Sequence, residues 1–244
     1  CIYIKNKFKI DNLCVAGGVG LNCVANSKIL ERKIFKNIWV QPASGDAGGA
    51  LGAALELWHK ELKKNRVISE YKFDKMNGSY LGPEYSNKEI EIFLKKEKVT
   101  YHFLDDDLLY TKVAQIINEQ NVVGWFQGKM EFGPRALGSR SILADPRSIY
   151  MQKNLNLKVK FRESFRPFAP AVLNEDLEEW FDFNQISQYM LFVSKINEKK
   201  QIEITEKDSK LFGIKKLNIK RSEVPAITHV DYTSRLQTVH KETN

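Results

Sequence analysis

Short apolar runs alternate with glycine-rich turns along the first part of the chain, and amphipathic stretches follow the turns. The runs at 12–16, 37–40 and 122–126 predict buried strands. After the first two runs, glycine turns lead into stretches whose apolar spacing predicts helices at 21–32 and 50–64. Two strand–turn–helix units in succession are typical of an α/β layer.

The rest of the chain predicts further short elements around a polar connection at 63–85, which holds an Asn-Gly and a Gly-Pro pair. Periodicity predicts helices at 86–98, 108–118, 148–157 and 174–181. Strands are predicted at 100–104, 171–173, 189–196, 226–230 and 234–239. The stretch 195–221 holds nine basic and four acidic residues with little periodicity, which predicts an exposed insertion.

Both early glycine turns stand where a strand gives way to a helix. Free backbone amides and the positive end of the helix dipole meet at such turns, so ligands bind there in open α/β folds. The alternative is that the glycines only make the turns tight. In the second turn Asp46 is either the cap of the following helix, which the spacing favours, or a metal ligand with distant partners.

The loop after the strand at 122–126 combines glycines with charges. They alternate at Gly128, Lys129, Glu131, Gly133, Arg135, Gly138 and Arg140. Glycine permits a close backbone approach, and arginine offers paired donors to phosphate or carboxylate oxygens. A strand that runs into such a loop is typical of an anion site. The alternative is a surface loop whose cations are solvated.

Cations alternate with apolar residues at 158–170 as well. In an extended segment Lys160, Arg162, Ser164 and Arg166 would point to one side. That face would complete the wall of the anion site. The alternative is an exposed edge strand protected by its charges.

Composition narrows the class of protein. The 244 residues are 43% hydrophobic and 28% charged, which is ordinary for a globular protein of one or two domains. The formal net charge of +8 suits an anionic substrate and also suits nucleic acid. Cys1, Cys14 and Cys23 lack the spacing of metal ligands and indicate reduced thiols. No apolar run approaches membrane-spanning length, so we expect a cytoplasmic protein without a membrane partner.

Five segments of the chain resemble the NodU/CmcH family of carbamoyltransferases. They lie at 17–26, 41–50, 122–147, 158–170 and 228–231, so the resemblance covers nearly the whole chain. It implies the α/β class, with the end of an actin-like (ASKHA) α/β domain followed by a YrdC-like α/β domain with a twisted mixed sheet. Residues 1–64 would be the C-terminal piece of the actin-like domain, 65–87 a linker and 88–244 the YrdC-like domain.

The resemblance also implies a reaction and its site. In this family the YrdC-like domain forms carbamoyl-adenylate from carbamoyl phosphate and ATP, and the actin-like domain transfers the carbamoyl group to a hydroxyl of a small molecule or sugar. ATP, Mg²⁺ and an iron-type divalent metal are the cofactors implied, and Asp46 matches the metal-ligating aspartate. The nucleotide-binding positions are matched by Gly17, Gly18, Asn22, Gly45, Gly48, Gly133 and Arg166. The catalytic cations are matched by Lys129, Arg135, Arg140, Lys160 and Arg162.

The family pattern extends beyond both ends of this sequence. Its two metal-binding histidines would lie before Cys1, and the last strand of its YrdC-like domain would follow Asn244. We therefore expect a truncated chain that is inactive alone. Two alternatives stay open: a basic RNA-binding module and a tRNA threonylcarbamoylation module. A nucleic-acid partner is not our expectation, because the cations cluster with glycines and not with stacking aromatic residues.

Overall fold

The computed structural model describes residues 1–66, 74–217 and 219–243. Helix α1 (Ile2–Phe8) precedes two strand–turn–helix units, which are β1 (Asn12–Val15) with α2 (Cys23–Glu31) and β2 (Asn37–Val40) with α3 (Ala47–Glu56). The two strands pair in parallel. The predicted α/β layer is confirmed here. The second helix begins at Ala47 rather than at 50, and it runs into a π-helical turn at Leu57–Glu61.

The second part of the chain consists of short elements. Its helices are α4 (Asn87–Lys96), α5 (Asp106–Asn118), α6 (Met151–Lys158), α7 (Leu177–Trp180), α8 (Glu206–Ser209) and α9 (Ile214–Leu217). Its strands are β3 (Val123–Phe126), β4 (Arg140–Leu143), β5 (Ala171–Leu173), β6 (Val193–Lys195), β7 (Thr233–Arg235) and β8 (Gln237–Val239). Single 3₁₀ turns stand at Gly18–Leu21, Asn77–Ser79, Asn174–Asp176, Glu198–Lys200 and Pro225–Ile227.

The strands of the second part form separate pairs. Within the described ranges β3 pairs with β4 and β6 with β7, both antiparallel, while β5 and β8 pair in parallel. The α/β class is therefore confirmed, but the twisted mixed sheet that we expected is divided into two-stranded pieces.

Local signals explain which element predictions were right. Ser86 begins α4 with a capping box, in which its hydroxyl accepts the N–H of Glu89 and the Glu89 carboxylate accepts the N–H of Ser86. The strand predicted at 100–104 is wrong, since those residues are irregular and pair with no strand in the described chain. The strand predicted at 226–230 is also wrong: Pro225 lacks an N–H and starts a 3₁₀ turn instead.

The polar connection is partly packed against the cationic loop. Residues 67–73 lie outside the described residues, but 74–83 meet the loop that follows β3. The N–H of Phe132 donates to the carbonyl of Ser79 at 2.7 Å, and the N–H of Gly82 donates to the carbonyl of Met130 at 2.9 Å. Pro83 in turn accepts the N–H of Met130 at 2.9 Å. Residues 79–83 are therefore hydrogen-bonded to the cationic loop, while the linker at 65–87 stays a prediction.

One apolar cluster joins the two parts of the chain. It contains Val40 from β2 together with Met76, Leu137, Tyr189 and Leu191. A second cluster packs Leu177 of α7 against Ile196 and Leu236, which directly follow β6 and β7. A third packs α6 against the 3₁₀ turn at Pro225–Ile227. In the described ranges no helix is both long and apolar enough to cross a bilayer.

Helix α2 is fixed to the second part by side-chain hydrogen bonds. Asn26 donates from Nδ2 to the carbonyls of Gly20, at 2.8 Å, and Leu191, at 3.1 Å. The Ser27 hydroxyl donates to the carbonyl of Val193 at 2.9 Å and accepts the N–H of the same residue at 2.7 Å. Both α2 side chains are buried. These hydrogen bonds therefore fix the position of the first glycine turn relative to strand β6.

Candidate functional site

A buried carboxylate shapes the cationic loop between β3 and β4. Glu131 is 7% exposed, and its Oε1 accepts the backbone N–H groups of Leu137 at 2.7 Å, Ser139 at 2.8 Å and Arg140 at 3.3 Å. Hydrogen bonds to a charged acceptor are stronger than neutral ones. The loop thus closes around Glu131, with Arg135 inside the closed segment.

The carbonyl of Leu137 anchors the same loop to two other segments. Tyr80 donates from its hydroxyl at 2.7 Å, and Gln237 of β8 donates from Nε2 at 2.8 Å. Burial, and after it the charge of Glu131, raises the pKa of Tyr80 to about 12, so the phenol keeps its proton and remains a donor. These hydrogen bonds hold the loop that carries Arg135 in one conformation.

Arg135 and Arg235 form the centre of the site. Each has an Nε atom that is buried and has no acceptor among the residues that the structure describes. The pKa of Arg235 is lowered first by burial, then by the charge of Arg135, and further by Arg162, while Cys23 acts in the opposite direction. The positive charges of Arg135 and Arg162 therefore both act against the charge of Arg235. Such a group of cations stabilises an anion placed between its members.

Arg162 is held in place by a fully buried asparagine. Its Nε donates to Oδ1 of Asn156 at 2.6 Å, and its guanidinium carbon stands 5.2 Å from the ring centroid of Phe168. Asn156 has no exposed surface, and its Nδ2 donates to the carbonyls of Ser164 and Arg166. The terminal nitrogens of Arg162 have no acceptor within the described ranges, so they remain available to a ligand.

The extended segment predicted at 158–170 is wrong in its geometry. Lys158 still belongs to α6, and Phe161 has a φ of 49°, in the left-handed region. The chain folds back because the N–H of Arg162 donates to the carbonyl of Asn156 at 3.0 Å. Lys160 and Arg162 therefore do not share a face through strand alternation.

The two glycine turns stand side by side, with the cationic loop against them. A Cβ on Gly20 would approach the Ser44 side chain at 3.2 Å, and one on Gly133 would approach the Cβ of Ala43 at 3.3 Å. Gly133 also has a φ of +125°, which L-residues rarely adopt. Glycine at 133 thus permits the contact that brings the loop to the second turn.

The predicted residues of the two glycine turns differ in what their side chains, or an added Cβ, would contact. Asn22 is the N-cap of α2 and accepts the N–H of Ala25 at 3.0 Å. Asp46 stands at the N-cap position of α3, but its side chain makes no capping hydrogen bond and is exposed. Gly17 and Gly18 face open space on the side where a Cβ would be. Gly45 lies near Leu21, where a Cβ would meet the Leu21 Cδ1 at 3.7 Å.

The structure does not bring Arg140 into the arginine group. Its guanidinium donates to the carbonyls of Gln127 at 2.8 Å, Ser139 at 2.9 Å and Gly128 at 3.1 Å, and it lies 3.4 Å from the ring centroid of Phe126. These bonds close the base of the loop. Anion binding by Arg140 stays a prediction, while the contacts assign it to holding the loop.

Three other predicted cations are at the surface. Lys129 and Lys160 are exposed, and Arg166 pairs with Glu163 at 2.8 Å. The basic stretch after Lys195 differs from our expectation of a solvated insertion at its end. Arg221 is only 2% exposed, and its guanidinium donates to the carbonyls of Ile219 and Lys216.

The described residues offer no ready metal centre. Nowhere in 1–66, 74–217 and 219–243 do three His, Cys, Asp or Glu side chains stand together as a metal would need. Asp46 alone therefore does not fit an iron-type ion. A cavity of about 740 Å³ contains none of the predicted site residues, and its lining includes Asp182, Asn184, Lys195, Asp231 and Tyr232.

Comparison with known proteins identifies the family. The model described as the C-terminus of carbamoyltransferases matches residues 114–244, more than half of the chain. The chain belongs to the carbamoyltransferase family. The model for the N-terminus of the same family matches residues 2–55, which include both glycine turns.

Relatives of this carbamoyltransferase chain are longer proteins. It is 56% identical over 99% of its length to the uncharacterized protein sll1178 of Synechocystis, 39% over 96% to the nodulation protein NolNO of Sinorhizobium fredii, and 33% over 94% to nodulation protein U of the same species. It spans 39%, 31% and 34% of those relatives, respectively.

Two residues of the candidate site were not predicted from the sequence. Arg235 lies in a three-residue strand and meets Arg135 only through the folded chain. Asn156 lies in α6, where an asparagine has ordinary helix-surface character in the sequence. A signal for Arg235 was present: it is a cation that follows two polar residues, four positions after the segment 228–231 that carries the resemblance.

Proposed function

We propose that this chain supplies the phosphate-binding part of an ATP-dependent O-carbamoyltransferase. The observation that carries the proposal is the pair of buried Nε atoms, on Arg135 and Arg235, without acceptors in the described residues. An unsatisfied buried donor costs about 1–3 kcal/mol, so the pair is suited to an anion that would accept from both. Membership of the carbamoyltransferase family supports carbamoyl phosphate and ATP as the anions.

The proposed first half-reaction activates carbamate. Water releases inorganic phosphate from carbamoyl phosphate, and an oxygen of the resulting carbamate attacks the α-phosphorus of ATP. The bond between the α-phosphorus and the bridging oxygen breaks, and pyrophosphate leaves with the electron pair. Negative charge gathers on the α-phosphate and on pyrophosphate, where Arg135, Arg162 and Arg235 would stabilise it. No protein nucleophile is needed.

The proposed second half-reaction transfers the carbamoyl group. The hydroxyl oxygen of a small molecule or sugar attacks the carbamoyl carbon, the bond to AMP breaks, and the hydroxyl proton passes to solvent. The open sides of Gly17 and Gly18 support a place for a nucleotide near the first turn. Mg²⁺ would accompany ATP, and a metal at Asp46 would require further ligands. We expect this chemistry in the cytoplasm.

A ligand-dependent melting experiment tests the anion site. Pyrophosphate or ATP at about 100 times its Kd should stabilise the chain by about 2.7 kcal/mol, because it binds the folded state only. For a chain of this size that corresponds to a rise in Tm of about 5–10 °C. Arg135→Ala and Arg235→Ala should each remove most of the rise. The matched control is Arg32→Ala, at the exposed C-terminal cap of α2.

The outcome also decides between this site and nucleic-acid binding. If Arg32→Ala weakens the response as much as Arg235→Ala, the effect is diffuse charge and the anion site is refuted. RNA binding that falls steeply with salt would then favour an RNA-binding or tRNA-modifying module. Isotope exchange of pyrophosphate into ATP, dependent on carbamoyl phosphate and measured in the protein that carries this chain, tests the chemical step itself.

A further inference from the structure

Three segments of the chain converge on the carboxylate of Asp74. Its Oδ2 accepts from the indole Nε1 of Trp39 at 2.9 Å. Its Oδ1 accepts from the hydroxyl of Tyr189 at 2.8 Å and from the N–H of Met76 at 2.8 Å. A carboxylate suits this place because both of its oxygens accept, whereas an amide would present a donor on one side.

The two side-chain donors to Asp74 are Tyr189, which is buried, and Trp39, which lies in a paired strand. Tyr189 is 8% exposed, and burial, followed by the negative charge of Asp74, raises its pKa, so the hydroxyl stays protonated and donates. Trp39 is part of β2, paired with Cys14 of β1. Charged acceptors bind neutral donors more strongly than neutral acceptors do, so this junction is a firm one.

The three segments lead to the two sides of the candidate site. Strand β2 ends at Val40 and runs into the second glycine turn, which Gly133 of the cationic loop contacts. Tyr189 precedes β6, whose Val193 lies opposite Arg235 in β7. Asp74 therefore ties the segment that carries the glycine turns to the segment that carries Arg235.

We infer that Asp74 is a positioning residue that sets the glycine turns at their working distance from Arg135 and Arg235. The inference rests on the proposed function, in which a group activated at the arginines moves to a site beside the turns. Asp74 itself touches no reacting atom. Its role is to keep these two segments at a fixed separation while the arginines bind and release anions.

Cys23 provides a reporter that does not depend on activity. It is the first residue of α2, directly after the first glycine turn, and it acts electrostatically on Arg235. In a Cys1→Ser, Cys14→Ser background it is the sole thiol, since the chain has three cysteines. Pyrophosphate bound at Arg235 should slow alkylation of Cys23 by iodoacetamide, by covering the thiol and by neutralising the nearby cation.

The experiment compares Asp74→Asn and Tyr189→Phe with the wild-type background. Both variants should keep the pyrophosphate-induced rise in Tm, because Arg135, Arg162 and Arg235 are unchanged. Protection of Cys23 by saturating pyrophosphate should fall by about threefold or more in Asp74→Asn, since local opening exposes the thiol. Tyr189→Phe should show a smaller loss because it removes one of three hydrogen bonds. Asp107→Asn, an exposed carboxylate in the first turn of α5, is the control.

Each result has a distinct meaning. Unchanged protection in Asp74→Asn overturns the inference, and so does loss of the Tm response, which would make Asp74 a general requirement of the fold. If the wild-type background itself shows no pyrophosphate response, the proposed function fails. The alkylation rate without ligand then still decides for Asp74: a rise of about threefold in Asp74→Asn but not in Asp107→Asn supports the junction, and equal rates overturn it.

Discussion

Arg162 is bound twice by Asn156, through its Nε to the asparagine Oδ1 at 2.6 Å and through its N–H to the asparagine carbonyl at 3.0 Å. The same asparagine also accepts nothing from solvent, because it is fully buried. Its Nδ2 bonds to the carbonyls of Ser164 and Arg166 close the segment after α6 into a compact turn. One neutral side chain therefore sets the direction of a cation.

Asn156→Ala should destabilise the protein and weaken anion binding together. The substitution leaves two carbonyls and the Arg162 Nε without a partner, which should lower the free energy of unfolding by about 2–4 kcal/mol. Denaturant titration measures this loss, and the pyrophosphate-induced change in Tm measures binding. Asn154→Ala, on the exposed side of the same helix, should change neither. Equal effects at the two positions would contradict the assignment.

Two glycines of α3 should respond in opposite directions to alanine. A Cβ on Gly48 would lie 2.1 Å from the carbonyl oxygen of Ala43, whereas one on Gly52 meets nothing within 4 Å. Gly48→Ala should therefore cost at least about 2 kcal/mol of stability, because backbone must move. Gly52→Ala should stabilise by about 0.5–1 kcal/mol through helix propensity. Thermal and denaturant unfolding of both variants checks the pair, and destabilisation by both would contradict the open surroundings of Gly52.

Glu131→Gln should loosen the cationic loop. The carboxylate oxygen that accepts three backbone N–H groups becomes a neutral amide oxygen, so we expect a loss of about 1.5–3 kcal/mol in unfolding free energy. Hydrogen exchange at Leu137 and Ser139 should accelerate more than exchange in α5. Glu97→Gln, at the exposed end of α4, serves as the comparison. Unaltered exchange in the loop would refute the role of Glu131.

His229 should make stability depend on pH near neutrality. Burial, which outweighs the opposing charge of Asp231, lowers the pKa of His229 below its ordinary value of about 6.5, and Arg235 adds to the lowering. The unfolded chain therefore binds a proton first as the pH falls. Stability is fully present above about pH 6.5 and declines as the pH falls from there toward the lowered pKa.

His229→Gln should remove that decline. Unfolding free energies measured from pH 7.5 to 5.5 should fall less steeply in the variant than in the wild type. His59→Gln, at an exposed position in the π-helical turn, should keep the wild-type slope. A variant slope equal to that of the wild type would mean that His229 is not held neutral.

The strands and helices beside the glycine turns could be predicted because their signals are local. The bounds of β2 match the apolar run at 37–40, and Asn22 caps α2 where the predicted helix starts. Relations across the chain could not be predicted in this way. The partners of Arg140 include the carbonyl of Gly128 and the ring of Phe126, which only the folded loop brings together. The sequence shows that Arg140 is charged, but it does not show which acceptors its N–H groups bind.

The segment after α6 shows the limit of periodicity. Alternating cations and apolar residues predicted extension, but the hydrogen bonds of Asn156 to Ser164 and Arg166 turn the segment back on itself. Arg235 was missed for a related reason, since its meeting with Arg135 joins residues far apart in the sequence. The glycine turns and Arg135 could be predicted from local sequence pattern. Arg235 could be assigned to the site only from the folded structure.

The bonds between Ser27 and Val193 have a consequence for association between molecules. An outer strand normally leaves its N–H and carbonyl groups open to a strand from another chain. At Val193 a single hydroxyl of α2 occupies both groups. A second molecule that approached this side of β6 would find no hydrogen bonds to form there unless α2 first moved away. Helix α2 therefore prevents edge-to-edge strand pairing between molecules at Val193.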